Sequence, residues 1–319
     1  MRRIIHVKPS AGPSLEQIRA AAPDCQVQAV DRLSPLGSAE SASSPEACSA
    51  VLGASPRDDL HRIPGLDWVH SGAAGVDGWL TGGVLPQGVT LTSAAGNGAI
   101  PLAEHALMLM LMLSRDAPRW MKAQREHRWD RFTHGELTGQ TLGIIGYGNS
   151  GQDLASKAQA CHMKVQALRR SPSGDRDGQV RLLHGEAGLT ELLDTSDFVV
   201  VTAPMTSQTG GMLGRPQLRR MKPGAFLIVI SRGGIVDEEA LLEVLEEGHL
   251  GGAGLDAHGV EPLPEGSPLW DMPRVIVTPH NGATTDATLE RGHAILLDNV
   301  SRWAAGRSLR NVVDRSRGY

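Results

Sequence analysis

The chain is short of cysteine, has no block of like charge and has no long apolar run, and each shortage closes off a class of function. Three cysteines, Cys25, Cys48 and Cys161, are spread over 319 residues in no CxxC pattern. That spacing argues against a disulfide framework or a zinc knuckle, indicates no metal site, and fits a reducing cytoplasm. Formal net charge is -4, and no block of five or six like charges occurs. A nucleic acid or an anionic membrane therefore has no electrostatic footprint, and a small molecule is the expected partner. After the opening "MRR" the apolar run is Ile4, Ile5 and, past His6, Val7, short of a signal-peptide core of about 7 to 15 residues. The most apolar helix, "AEHALMLMLMLS", is bounded by Glu104, His105 and Arg115, well under the roughly 20 residues that a bilayer requires. No solenoid-type repeat is visible.

What is present is an alternation of short apolar runs with helical stretches. "RRIIHV", "CQVQAV", "SAVLGA", "LDWVHSG" and "GVTLTSA" read as strands up to about Gly98, separated by Pro/Gly/Ser turns. The piece "LSPLGSAESASSPEA" reads as a surface loop with a short helix after it. A long helix is expected from about Ile100 to Gln124, where Leu102, His105, Ala106, Met108, Leu109 and Met112 recur at helical spacing. Its methionines are read as core filling. A second series follows: "TLGIIGYG", "KVQALRR", "FVVVTAP", "GAFLIVISRG", "GAGLDAHG" and "RVIVTPH". Strands as uniformly apolar as "FVVV" and "FLIVI" point to a parallel sheet covered on both faces. A last helix over about Thr284 to Ala305 precedes "LRNVVD", which can return to the first domain and make it discontinuous.

In "TLGIIGYGNSGQDLASKAQA" a strand runs into Gly146-Tyr147-Gly148-Asn149-Ser150-Gly151 and then into a helix. In that setting Gly146 allows the tight turn, Gly148 lets backbone amides approach a pyrophosphate, and Gly151 lets helix pack on strand. The helix N-terminus favours the negative charge. The following strand, "KVQAL", should end at the adenosine ribose, where an NAD site places an Asp or Glu. Here that place holds Arg169, Arg170 and Ser171. A carboxylate there repels a 2′-phosphate, whereas guanidinium groups bond to it and the serine hydroxyl can add a donor. The expected cofactor is thus NADP(H), with NAD(H) possible; two solvated arginines at a strand end are the alternative.

Over nearly its whole length the chain resembles the D-isomer-specific 2-hydroxyacid dehydrogenases. The resemblance is carried, in that family's order, by "SGAAGVDG", "LAEHAL", "TLGIIGYGNSG", "APMTSQTGGMLG", "MKPGAFLIVISRGGIVDEEAL", "GLDAHGVEPLPEGSPLW" and "TPHNGATT". It implies an α/β protein of two domains: a doubly wound Rossmann-type dinucleotide-binding domain over 99–286, and a discontinuous, flavodoxin-like substrate domain over 1–98 and 287–319. It also implies a homodimer that interconverts 2-oxo acids and D-2-hydroxy acids.

Hydride delivery to a keto carbon leaves an alkoxide, so a proton donor active near neutral pH is required, and imidazole suits it. His280 is singled out among twelve histidines because it follows the strand "RVIVTP", at the carboxyl end of a strand where α/β sheets bind ligands. The family's acid/base histidine matches it. An imidazole in this role needs its second nitrogen held, and a carboxylate does so while favouring the imidazolium. Glu261 matches the family's partner glutamate. Arg232, after "FLIVI", matches its substrate arginine; a fixed positive fork suits a carboxylate, and Gly233 and Gly234 are read as leaving room for a ligand. The backbone of Ala74 and Gly75 corresponds to the family's amide cradle for the same carboxylate. The resemblance extends the cofactor contacts to Pro204, Ile230, Ser231, Arg232, Asp256, His280 and Gly282. Trp129 is read as bordering the substrate pocket or as a core or interface residue.

Departures from the family pattern are His258 and Gly259, where an aromatic and an acid are usual, and Val229, where Asn is frequent. Glu261 argues against formate oxidation, which pairs the histidine with Gln. Phosphoglycerate dehydrogenases of the family commonly carry a C-terminal regulatory domain, and with none expected after Tyr319 that activity is less expected without being excluded. The expected activity is NADP-preferring reduction of a small 2-oxo acid, glyoxylate or hydroxypyruvate leading. The alternatives are a dinucleotide-sensing interaction protein of the co-repressor type and oxidation of another anion such as phosphite. Small residues at Gly53, Ala54 and Ser55 are read as permitting more than a two-carbon acid.

Overall fold

The computed structural model describes residues 3–33, 48–171 and 174–319. The loop and short helix expected after Leu33 lie outside them. The chain divides into two compact units, 1–97 with 285–319, and 98–284.

In the first unit five strands, β1 (Arg3–Val7), β2 (Gln26–Ala29), β3 (Cys48–Leu52), β4 (Leu66–Ser71) and β5 (Thr90–Ser93), form a parallel sheet in the order β2-β1-β3-β4-β5. This is the flavodoxin order. The chain's alternation decides the two faces. Ile5, Val7, Ala50, Leu52 and Trp68 pack beneath helix α1 (Leu15–Ala21) and the closing helix Asp286–Ala304, while Val51, Val69 and Leu91 pack on the other side with Leu60 and Trp79. The terminal "NVVD" returns beside β5, where Ser93 N donates to Asn311 O and Val313 N to Leu91 O.

The second unit holds an eight-stranded sheet: β6 (Thr141–Ile145), β7 (Lys164–Leu168), β8 (Arg176–Asp177), β9 (Val180–Leu183), β10 (Phe198–Val201), β11 (Phe226–Val229), β12 (Gly252–Leu255) and β13 (Val275–Val277). The order is β13-β12-β11-β10-β6-β7-β9-β8, parallel except for the β8–β9 hairpin. From central β6 the chain winds outward to one side through β7 and to the other from β10, so the switch point lies between β6 and β10. Helices α2 (Ala99–Ser114), α3 (Ala117–Arg125), α4 (Asn149–Ala160), α5 (Gly185–Thr195), α6 (Arg215–Arg220) and α7 (Glu238–Glu246) connect or cover these strands.

One local reading is corrected, and one element is added. The expected 100–124 helix is two helices, broken at Asp116, whose φ is 50°. Pro118 explains the break: within a helix its ring clashes with the carbonyl four residues back, and that carbonyl, Ser114 O, instead accepts from Gly135 N at 2.9 Å. The hairpin β8–β9 was not expected, because "RDGQVRLL" is too short and too charged to read as strand.

Candidate active site

Strand register, more than any one motif, assembles the candidate residues. Leu183, Leu168, Ile145, Val201, Val229, Leu255 and Val277 pair in one row across β9, β7, β6, β10, β11, β12 and β13. The residues that follow that row, Arg169, Gly146, Pro204, Ile230 to Arg232, Asp256 and His280, therefore leave the same carboxyl edge of the sheet.

The glycine loop has the shape a dinucleotide requires. Gly146 has φ 101°, and a Cβ there would lie 2.6 Å from Ala203 N; a Cβ on Gly151 would lie 2.3 Å from Gly146 O. Gly148 is different, with nothing within 4 Å of an added Cβ. It caps α4, whose first residues are Asn149 and Ser150. Ser231 Oγ is buried and has no hydrogen-bond partner among the described residues. Two closed glycines, one open glycine at a helix N-terminus and an orphaned hydroxyl at the same sheet edge fit a nicotinamide dinucleotide.

His280 and Glu261 meet directly. Nδ1 of His280 lies 2.9 Å from Glu261 Oε1 and 2.8 Å from Oε2. Burial alone would raise the Glu261 carboxyl, but the bond from His258 N (2.9 Å) and the contact with His280 outweigh it and hold the group below its ordinary value. The imidazole is thus held at Nδ1, which leaves Nε2 as its reactive nitrogen.

His280 has φ 51°, a left-handed conformation costing a non-glycine residue roughly 1–2 kcal/mol. Asp256, fully buried, compensates the turn: its carboxylate accepts from Thr278 Oγ1 (2.7 Å), Asn281 N (3.1 Å) and Gly282 N (2.9 Å). His105 of α2 closes the cluster, with Nε2 3.0 Å from Thr278 Oγ1 and 3.6 Å from Asp256 Oδ1. In sequence His105 stands on a helix face and within the family-like motif "LAEHAL"; its position opposite the end of β13 is a tertiary fact that neither discloses. His258, at the family-atypical position, spans two parts of the site: its N–H holds Glu261 and its Nε2 lies 3.1 Å from Thr278 O.

Arg232 leaves β11 in extended conformation, with Nη1 donating to Ser231 O at 2.8 Å. The reading of Gly233 is corrected. A Cβ there would lie 2.0 Å from the carbonyl carbon of His258, whereas one on Gly234 meets only the flexible end of Met205, Cε at 2.9 Å. At Gly233 the room is filled by the protein's own backbone, which seats the Arg232 loop against the loop that carries Glu261. Gly53 is similar: its space is taken by the Ala11 backbone, 2.5 Å from an added Cβ. Ala74 and Gly75 lie in the loop after β4, Ala74 exposed. Arg169 and Arg170 follow β7, and Ser171 comes next. Trp129 is 90% exposed, which excludes a core role in the chain.

Residues 107–282 match the family model described as the NAD binding domain of D-isomer specific 2-hydroxyacid dehydrogenases. The chain belongs to the D-isomer-specific 2-hydroxyacid dehydrogenases. A glycerate dehydrogenase from Methylorubrum extorquens is 34% identical over 267 residues, 81% of this chain and 82% of that protein. A family member from Xanthobacter autotrophicus Py2, solved with NADPH and MES, superposes with a TM-score of 0.82 at 32% identity, covering 99% of each chain. An NADPH-dependent glyoxylate/hydroxypyruvate reductase from Sinorhizobium meliloti, solved with NADP and sulfate, gives 0.80 at 30% identity over 100% of each. The chain spans about half the length of the curated D-3-phosphoglycerate dehydrogenases it also matches. No helix among the described residues is long and apolar enough to cross a membrane. No group of three or more His, Cys, Asp or Glu among them is arranged to hold a metal.

Proposed function

We propose that this dehydrogenase is an NADP-preferring reductase of a small 2-oxo acid, with glyoxylate and hydroxypyruvate as leading substrates. The observation that carries the reading is the engagement of His280 Nδ1 by both oxygens of Glu261 at the carboxyl end of β13. A bound nicotinamide supplies the hydride in reduction and takes it in oxidation. Arg232 holds the substrate carboxylate beside its keto group, and the backbone amides of Ala74 and Gly75 add donors to the same carboxylate. His280 Nε2 donates a proton to the developing alkoxide, and Glu261 balances the imidazolium that performs this step. Asp256 fixes the His280 turn and, with Gly282, would border the nicotinamide end of the cofactor. Arg169, Arg170 and Ser171 read the 2′-phosphate, Gly146 to Gly151 hold the pyrophosphate, and Pro204, Ile230 and Ser231 line the path between.

The NADPH and NADP complexes of the Xanthobacter and Sinorhizobium proteins support the cofactor choice, and the activity named for the latter supports the substrate class. A homodimer is supported by a set of exposed apolar side chains on the second unit: Ile100, Met108, Leu111, Trp120, Met121 and Trp129. The test is an initial-rate matrix of glyoxylate, hydroxypyruvate, 3-phosphohydroxypyruvate and longer 2-oxo acids against NADPH and NADH. The reading expects glyoxylate or hydroxypyruvate with NADPH to dominate; consumption of none of the acids removes it.

A further inference from the structure

The segment that carries Arg169 and Arg170 is anchored by His184, which lies outside the glycine fingerprint and the catalytic set, and by the side chain of Tyr147 in the glycine loop. At its start, Arg169 N donates to Leu183 O at 2.9 Å, and the residue just before it, Leu168, accepts from Gly146 N at 3.1 Å through its carbonyl. The Arg169 carbonyl faces His184 Nδ1 at 3.0 Å. On the return, His184 Nε2 lies 3.4 Å from Gly174 O, and Leu182 N donates to Asp175 O at 2.8 Å. Tyr147, from within the glycine loop, donates its hydroxyl to Asp177 Oδ2 at 3.1 Å. Its ring is buried, and burial together with that bond pushes the phenol up to about 12, so it remains a donor.

We infer that His184, seconded by Tyr147, is a positioning residue that sets cofactor discrimination; the inference rests on the NADP reading above. The argument is geometric. Both neighbours of the His184 ring are carbonyl oxygens, which only accept, so the imidazole donates N–H from Nδ1 to the nearer, Arg169 O. That bond and the Arg169–Leu183 ladder bond hold both backbone polar groups of the first arginine. Tyr147 fixes the far end of the same segment to the loop that holds the pyrophosphate. The ribose limits the span between pyrophosphate and 2′-phosphate, so a cradle that fixes the glycine loop relative to Arg169 within that span lowers the ordering cost on binding. NADH has no 2′-phosphate to meet that cradle and gains nothing from it. His184 also forms no side-chain cap on α5, so its removal does not uncap that helix.

The experiment is fluorescence titration of the full chain with NADPH and with NADH, comparing the unaltered protein with His184→Ala, His184→Asn, Tyr147→Phe and the double variant Arg169→Ala/Arg170→Ala. His184→Ala should weaken NADPH at least about fivefold, the worth of one ordinary hydrogen bond, with less than a twofold change for NADH. His184→Asn, whose amide nitrogen stands near the place of Nδ1, should recover most of that loss, and Tyr147→Phe should lie between. If the arginine variant leaves the NADPH:NADH ratio unchanged, the NADP reading itself fails. If the arginine variant lowers the ratio but His184→Ala does not, or if His184→Ala weakens both cofactors alike, this inference is overturned. Should His184→Ala not fold, His184→Asn against Tyr147→Phe decides: a ratio unchanged in both overturns it as well.

Discussion

The Glu261 carboxylate faces Nδ1 of His280 with both oxygens, at 2.9 and 2.8 Å, while Oε1 also accepts from His258 N. Because the folded carboxyl titrates below its ordinary value of 4.5, the charge that supports the imidazolium persists as pH falls to that value and is lost only below it. The pH profile of 2-oxo acid reduction should therefore show no acid limb from Glu261 above about pH 4.5. Glu261→Gln keeps the shape and removes the charge, and should lower kcat about a hundredfold or more, within the usual span of general acid catalysis, with a smaller change in KM. Equal loss in His280→Asn and in the double variant would show the two acting as one unit; additive losses would separate them.

The three glycines of the phosphate loop separate folding from binding. Gly148 has φ -91° and ψ -158°, which alanine adopts freely, and no atom lies within 4 Å of its added Cβ. Gly148→Ala should keep the melting temperature within a degree or two and yet weaken NADPH about tenfold or more, since the methyl group would stand where the pyrophosphate approaches. Gly146→Ala must instead adopt φ 101° and collide with Ala203 N, so it should lose stability outright. Calorimetry and NADPH titration on the same two proteins check this, and unimpaired cofactor binding by Gly148→Ala would remove the pyrophosphate from this loop.

These pairs show what a sequence can and cannot disclose about such a site. Gly146, Gly148 and Gly151 sit within one turn, so their spacing carries their meaning. His280 was recognisable because it ends an apolar strand in an α/β series. Pro118 marks the break between α2 and α3, a signal that helical spacing alone leaves out. His105 sits in the family-like motif "LAEHAL" without a role legible there, and His184 carries no local mark: one gains its place because α2 packs over β12, the other because β9 pairs with β7. Gly233 reads in sequence as ligand space because an absent side chain looks alike whether a ligand or another loop occupies its place.

The exposed apolar set on the second unit predicts an oligomer. Trp129, 90% exposed, borders a cleft of about 360 Å³ with Trp120 and Arg128. Light scattering coupled to size exclusion should give twice the 33.9 kDa of the chain, and Trp120→Ser/Met121→Ser should shift the mass toward one chain. A monomer at all concentrations would remove the dimer reading.

The first unit should be acid-labile because of a histidine that burial keeps neutral. His70 in β4 is 1% exposed; its Nδ1 lies 2.8 Å from Thr92 Oγ1, which also accepts from Trp68 Nε1, and its Nε2 has no hydrogen-bond partner among the described residues. Burial lowers its pKa from 6.5 to about 4. Between those values the unfolded chain binds a proton that the folded chain refuses, so stability falls as pH drops below 6.5 and levels off near 4. At about 1.4 kcal/mol per pH unit the full loss is about 3 kcal/mol. His6 in β1, also lowered by burial, adds in the same direction. His70→Leu removes the titration and the unpaired nitrogen while Thr92 keeps Trp68. Its melting temperature should equal or exceed that of the unaltered protein at pH 7, and the gap should widen steadily toward pH 4.5. Parallel curves for the two proteins over that range would place the acid sensitivity elsewhere.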